Sequence, residues 1–129
     1  MIEPIWVLDE IVESVHSMLL AEHGGGSGIR EKSLLDSALA RAKQKFSYDS
    51  GVSIFDLAAA YSFGIAKNHP FVDGNKRTAF TIGTLFLEIN GFKLNATEVD
   101  ATIAFENLAS DILKESELSL WFKEHSNKV

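Results

Sequence analysis

The chain has 129 residues, 46% of them hydrophobic and 23% charged, with a formal net charge of -6 and no cysteine. That length suits one domain, residues 1–129, with enough apolar material for a real core, and the lack of cysteine excludes a disulfide-stapled scaffold. The acidic balance argues against a general nucleic-acid binder, so no direct nucleic-acid partner is expected.

Taken in chain order, MIEPIW shows no basic segment ahead of an apolar run. No secretory signal is therefore expected, and a cysteine-free chain fits a reducing cytoplasm. Leu8, Ile11, Val12, Val15 and Leu19 recur at helical spacing and predict a helix that ends before Gly24-Gly25-Gly26. His16 on that helix reads as a satisfied structural histidine. The GGGSG at 24–28 lacks the G-K-[ST] ending and the preceding strand of a phosphate loop, and reads as a flexible connection. Arg30, just ahead of the next helix, reads as an ion-pair partner. Leu35, Ala38, Leu39 and Ala42 mark that second helix.

Ser53 followed by Asp56 is a helix start, the serine as N-cap and the acid satisfying an orphan amide. From Ile54 to Ile65 almost no polar face remains. Ala79 to Ile89 is similarly apolar and stops at Asn90-Gly91, a good C-terminus. Neither run approaches ~18 uninterrupted apolar residues, so both are core helices and no membrane partner is expected. Phe92-Lys93-Leu94 is extended at most, and three residues are too few to build a sheet. Asn95 with Glu98 opens a further helix, and Ser116 a last short one through Leu118, Leu120, Trp121 and Phe122. The expected fold is all-α, a single compact bundle of about six helices.

Between the two core helices lies His69-Pro70-Phe71-Val72-Asp73-Gly74-Asn75-Lys76-Arg77. Lys76 and Arg77 fall in a first helical turn, where the macrodipole disfavours cations. Free amide hydrogens after Gly74, reinforced by two cations, suit a bound polyanion. His69 fits a general base acting on an alcohol, and Phe71 an apolar anchor for the loop. Asp73, an oxygen ligand facing phosphates, suits magnesium; zinc is disfavoured because His16, His23 and His125 have no ligand spacing to His69. The charge is distributed accordingly: residues 30–77 hold eight bases against five acids, while residues 1–29 hold five acids and no Lys or Arg.

HPFVDGNKR resembles the signature of the Fic/Doc family, H-x-F-x-[DE]-G-N-[GK]-R. The Gly24–Phe46 segment, LAAAYSFGIAKNHPF and Phe86–Leu94 are similar to its Doc (death-on-curing) branch, so that the resemblance covers roughly residues 5–125. It implies that His69 takes the proton from a target hydroxyl, that Phe71 is the buried anchor and that Asp73 binds magnesium. It further implies that Gly74 and Asn75 form the anion-binding turn and that Arg77 contacts nucleotide phosphates. Lys76 and Phe80 stand where the AMP-transferring pattern H-x-F-x-[DE]-G-N-G-R-x-x-R has glycine and arginine. Both departures match Doc, where an inverted nucleotide delivers its terminal phosphate, and Lys76 would neutralise that phosphate. The resemblance thus implies a toxin that phosphorylates a protein hydroxyl from ATP, with elongation factor Tu as target and a Phd-type antitoxin as partner. AMP transfer and a non-catalytic, partner-binding member remain as alternatives. Thr102–Asn107, TIAFEN, matches the self-inhibitory pattern of some Fic proteins; with Phe80 replacing the arginine that such a glutamate pairs with, it reads as coincidence.

Overall fold

In the computed structural model, which describes all of residues 1–129, six helices and two short strands follow one another. They are α1 (Asp9–His23), α2 (Lys32–Tyr48), α3 (Ile54–Asn68), α4 (Asn75–Ile89), β1 (Phe92–Leu94), α5 (Glu98–Ala109), α6 (Glu115–Glu124) and β2 (Ser126–Lys128). The all-α expectation holds, and no helix is long and apolar enough to cross a membrane.

α3 is the centre. Nine of its fifteen residues are buried, and it packs on α2, α4, α5 and α6. Its start is fixed by the anticipated capping box: Asp56 N donates to Ser53 Oγ at 3.1 Å and Ser53 N to Asp56 Oδ2 at 2.9 Å. Ser119 Oγ on α6 donates to Asp56 Oδ1 at 2.6 Å, so the same carboxylate ties two helices. Burial works to raise the Asp56 pKa, but the Ser119 and Ser53 hydrogen bonds outweigh it and hold the carboxyl below its ordinary value.

Small residues let the helices approach closely. A methyl group on Gly64 of α3 would lie 2.8 Å from the Ala38 carbonyl oxygen of α2. On α4, a methyl on Gly83 would collide with Ser62 Oγ of α3 and meet Phe122 Cζ at 2.9 Å. Ser62 Oγ itself donates to the Ala79 carbonyl at 2.6 Å. The spacing of α3 and α4, and hence of whatever joins them, is therefore set by Gly83 lying directly against Ser62.

The structure corrects three details. Phe92–Leu94 does form a sheet: it pairs antiparallel with Ser126–Lys128, Phe92 opposite Lys128. α5 is capped by Thr97, whose Oγ1 accepts from Asp100 N at 3.0 Å, because Asn95 still continues the strand by donating its N–H to the His125 carbonyl at 2.6 Å. α6 begins at Glu115 after Lys114, whose N–H reaches Glu117 Oε1 at 2.9 Å, rather than at Ser116. The end of α4 also gathers both ends of the chain. Asn90 exchanges hydrogen bonds with Ile5 at 2.8 and 2.9 Å, and Val129 N donates to the Gly91 carbonyl at 2.8 Å.

Candidate active site

α3 stops at His69, whose backbone is left-handed at φ 49°, ψ 55°. For a residue with a β-carbon that conformation costs about 1–2 kcal/mol. Pro70 enforces the stop, since the residue before a proline is pushed out of the α region. Phe71 then turns inward to 1% exposure and stacks on the His16 ring, centroids 3.7 Å apart and 9° from parallel. His16, 4% exposed on α1, donates from Nε2 to the Asp73 carbonyl at 2.8 Å. It is satisfied, as expected, but by the loop itself.

Asn75 holds the loop from the other side. Its Oδ1 accepts from Phe71 N and its Nδ2 donates to the Phe71 carbonyl, both at 3.0 Å. The same Nδ2 lies 3.3 Å from His69 Nδ1. An amide nitrogen only donates, so this contact has an unprotonated Nδ1, and Nε2 makes no hydrogen bond within the chain. His69, Asp73, Lys76 and Arg77 are all exposed, and Asn75 is buried beneath them.

The segment read as a flexible connection is bound to this loop. Ile29 pairs with Phe71 in an antiparallel bridge, Val72 N donates to the Gly28 carbonyl at 3.1 Å and Arg30 N to the Pro70 carbonyl at 2.6 Å. Gly26 N donates to Asp73 Oδ2 at 3.3 Å, and Gly74 N to Asp73 Oδ1 at 3.0 Å. A β-carbon on Gly25, at φ 123°, would sit 3.0 Å from Asp73 Oδ2. The glycines thus let a backbone pass against the carboxylate. Arg30 is not an ion-pair partner either. Its Nε donates to the His69 carbonyl at 2.8 Å and its Nη2 to the Asn68 carbonyl at 3.0 Å. A cleft of about 390 Å³ opens beside this strip, lined by Glu13, His16, Ser17, Leu20, Ser27 and Phe71; His69 stands outside it.

α4 begins after Gly74 with no side-chain cap and no acid in its first turn. Thr78 N makes the first bond of the helix, to the Gly74 carbonyl at 3.0 Å, which leaves the Asn75, Lys76 and Arg77 amides without acceptors in the chain. Three amides, two cations and a positive dipole end have the chemistry that suits an anion. The Arg77 guanidinium has no hydrogen bond or ion pair within the chain, whereas Lys76 Nζ lies 2.9 Å from Glu106 Oε1. TIAFEN therefore does touch the loop, through Lys76. The pair is exposed, 47% and 56%, so it is worth at most about 1 kcal/mol. Phe80 packs edge-on against Phe105 of α5, centroids 5.3 Å apart. No group of three or more His, Cys, Asp or Glu side chains is arranged to hold a metal ion by itself.

Sequence reasoning missed Arg30 as part of the loop and the glycine strip as its neighbour. The one available signal was position: both immediately precede α2, which packs against α3.

Comparison with known proteins gives the family of the chain. The profile of the Fic/DOC family matches residues 6–87. The protein named Toxin Doc from Mycolicibacterium smegmatis is 43% identical over 74 residues, 57% of this chain and 57% of that protein. Protein kinase doc of Escherichia phage P1 is 28% identical over 81 residues, 63% of this chain and 64% of its own. The matched stretches span less than two thirds of either relative.

Proposed function

The chain belongs to the Fic/Doc family, and on that premise, with its similarity to two Doc proteins, we propose that it is of the Doc branch, the toxin of a toxin–antitoxin pair, transferring the terminal phosphate of ATP to a hydroxyl of a protein target. The observation that carries this choice of chemistry is the pair Lys76 and Phe80. A cation stands in the first turn of α4, and a phenyl ring packed on Phe105 stands where the AMP-transferring pattern has its last arginine. The polyphosphate rests on the Asn75–Arg77 amides, and Lys76 exchanges Glu106 for a phosphate oxygen while Arg77 takes another.

His69 Nε2 accepts the proton of the target hydroxyl as that oxygen attacks the terminal phosphorus. The bond from phosphorus to the bridging oxygen breaks, and ADP leaves. Nδ1 must then carry the ring hydrogen, which gives up the contact to Asn75; at 3.3 Å that contact is long and its loss costs little. Asp73 suits a magnesium ion, which is commonly held by one or two carboxylates with phosphate oxygens and water rather than by a protein cage. When bound, the ion neutralises phosphate charge. The Doc resemblance supports elongation factor Tu as target, a threonine as acceptor, a Phd-type antitoxin as partner and the cytoplasm as setting.

The test is intact mass of elongation factor Tu after incubation with the purified chain, ATP and magnesium. One added phosphate is expected with the wild type and a rate lower by ~10²–10⁴ with His69→Ala. An added AMP assigns the chain to nucleotidyl transfer, and an unchanged mass to a binding role.

A further inference from the structure

Resting on the reading of His69 as the base, we propose that Arg30 is a positioning residue for it, a guanidinium clamp on the two peptide planes that flank the His69 α-carbon. The Asn68 carbonyl lies in the plane that precedes that carbon and the His69 carbonyl in the plane that follows it. Arg30 donates to both, from Nη2 at 3.0 Å and Nε at 2.8 Å. Holding those two planes fixes φ and ψ of His69, and so the direction of its Cα–Cβ bond and the placing of the imidazole. The clamp is needed because φ 49° is unfavourable for histidine and because the last carbonyls of a helix have no partner within it.

The clamp is itself anchored. Arg30 N and Glu31 N both donate to the Pro70 carbonyl, at 2.6 and 3.4 Å, so the guanidinium and the backbone that bears it grip one stretch of loop. Nε and Nη2 are engaged by carbonyls, so the edge of the guanidinium nearest the loop is committed to His69. Lysine at this position keeps the charge but offers a compact point donor in place of a planar fork, and cannot hold the two planes in fixed relation.

Wild type, Arg30→Met and Arg30→Lys decide the matter by two readouts. The first is the His69 ring Cε1–H resonance in protein without nucleotide, assigned by its loss in His69→Ala. It is expected to move or broaden in Arg30→Met and to be restored incompletely in Arg30→Lys. The second is target modification at varied ATP, for which kcat is expected to fall roughly 10–100-fold while KM for ATP stays within about threefold. A wild-type His69 resonance in Arg30→Met overturns the clamp whatever reaction the chain catalyses. A rise in KM for ATP at unchanged kcat overturns it also, by making Arg30 a nucleotide ligand. Should the transferred group be AMP, the kinase reading fails while the resonance still decides the clamp. If Arg30→Met does not fold, Arg30→Lys alone carries the resonance test.

Discussion

Lys76 occupies a place where a helix tolerates cations least, and Glu106 compensates for only part of that cost. On the phosphoryl-transfer reading, the lysine acts on the transferring phosphate. Lys76→Gly is therefore expected to lose phosphoryl transfer by roughly 2–4 kcal/mol of barrier, some 30- to 1,000-fold. Thermal stability should fall by no more than about 1 kcal/mol, the propensity cost of glycine. Rates of target phosphorylation and melting curves of the two proteins check both halves, and equal rates would sink the kinase reading. The six residues proposed to bear the chemistry, His69, Asp73, Gly74, Asn75, Lys76 and Arg77, fall within one nine-residue string, so their proximity was legible in the sequence. Arg30 and His16 were not legible as parts of the loop. Their partners lie 39 and 57 positions away, and a guanidinium on carbonyls has no sequence signature.

Among the elements, α3 does most to position the site, and two substitutions measure how. Asp56→Ala removes half of the capping box and the tie to Ser119, at an expected cost of about 1–2 kcal/mol, roughly 3–8 °C in Tm. The folded carboxyl has a depressed pKa, so its stabilising contribution is complete above the ordinary aspartate range near pH 4 and is lost as pH falls through the lower folded value. The Tm gap between wild type and Asp56→Ala should thus be smaller at pH 3 than at pH 7; an equal gap would contradict that linkage. Gly64→Ala drives a methyl group against the Ala38 carbonyl, a backbone atom that cannot swing away. A net loss of about 1–2 kcal/mol is expected despite the better helix propensity of alanine. Gly51→Ala, whose added methyl would meet only Asp49 Oδ1 at an ordinary 3.5 Å, should be close to neutral in the same denaturant titration. The α3 cap was readable because a capping box is local. The β1–β2 pair was not, because each strand has three residues and its partner is more than thirty positions off.

In the whole molecule, the His69–Gly74 loop and the chain ends occupy opposite poles of α4. The loop precedes Asn75, and Ile5 and Val129 are fastened at Asn90 and Gly91, about 22 Å away along fifteen residues of helix. Connectivity is then separable from chemistry. A linker of about five residues, reaching roughly 17 Å, is long enough to join Val129 to Ile5. The chain can be reopened at the exposed Asp49–Gly51 turn between α2 and α3. Such a circular permutant keeps every hydrogen bond around His69 and is expected to transfer its group to the target at the parental rate; opened instead within Gly24–Gly28, it should lose the strip that lies against Asp73 and most of its activity. On that expectation, what this protein requires is the neighbourhood of its segments, and the order in which they are threaded is incidental.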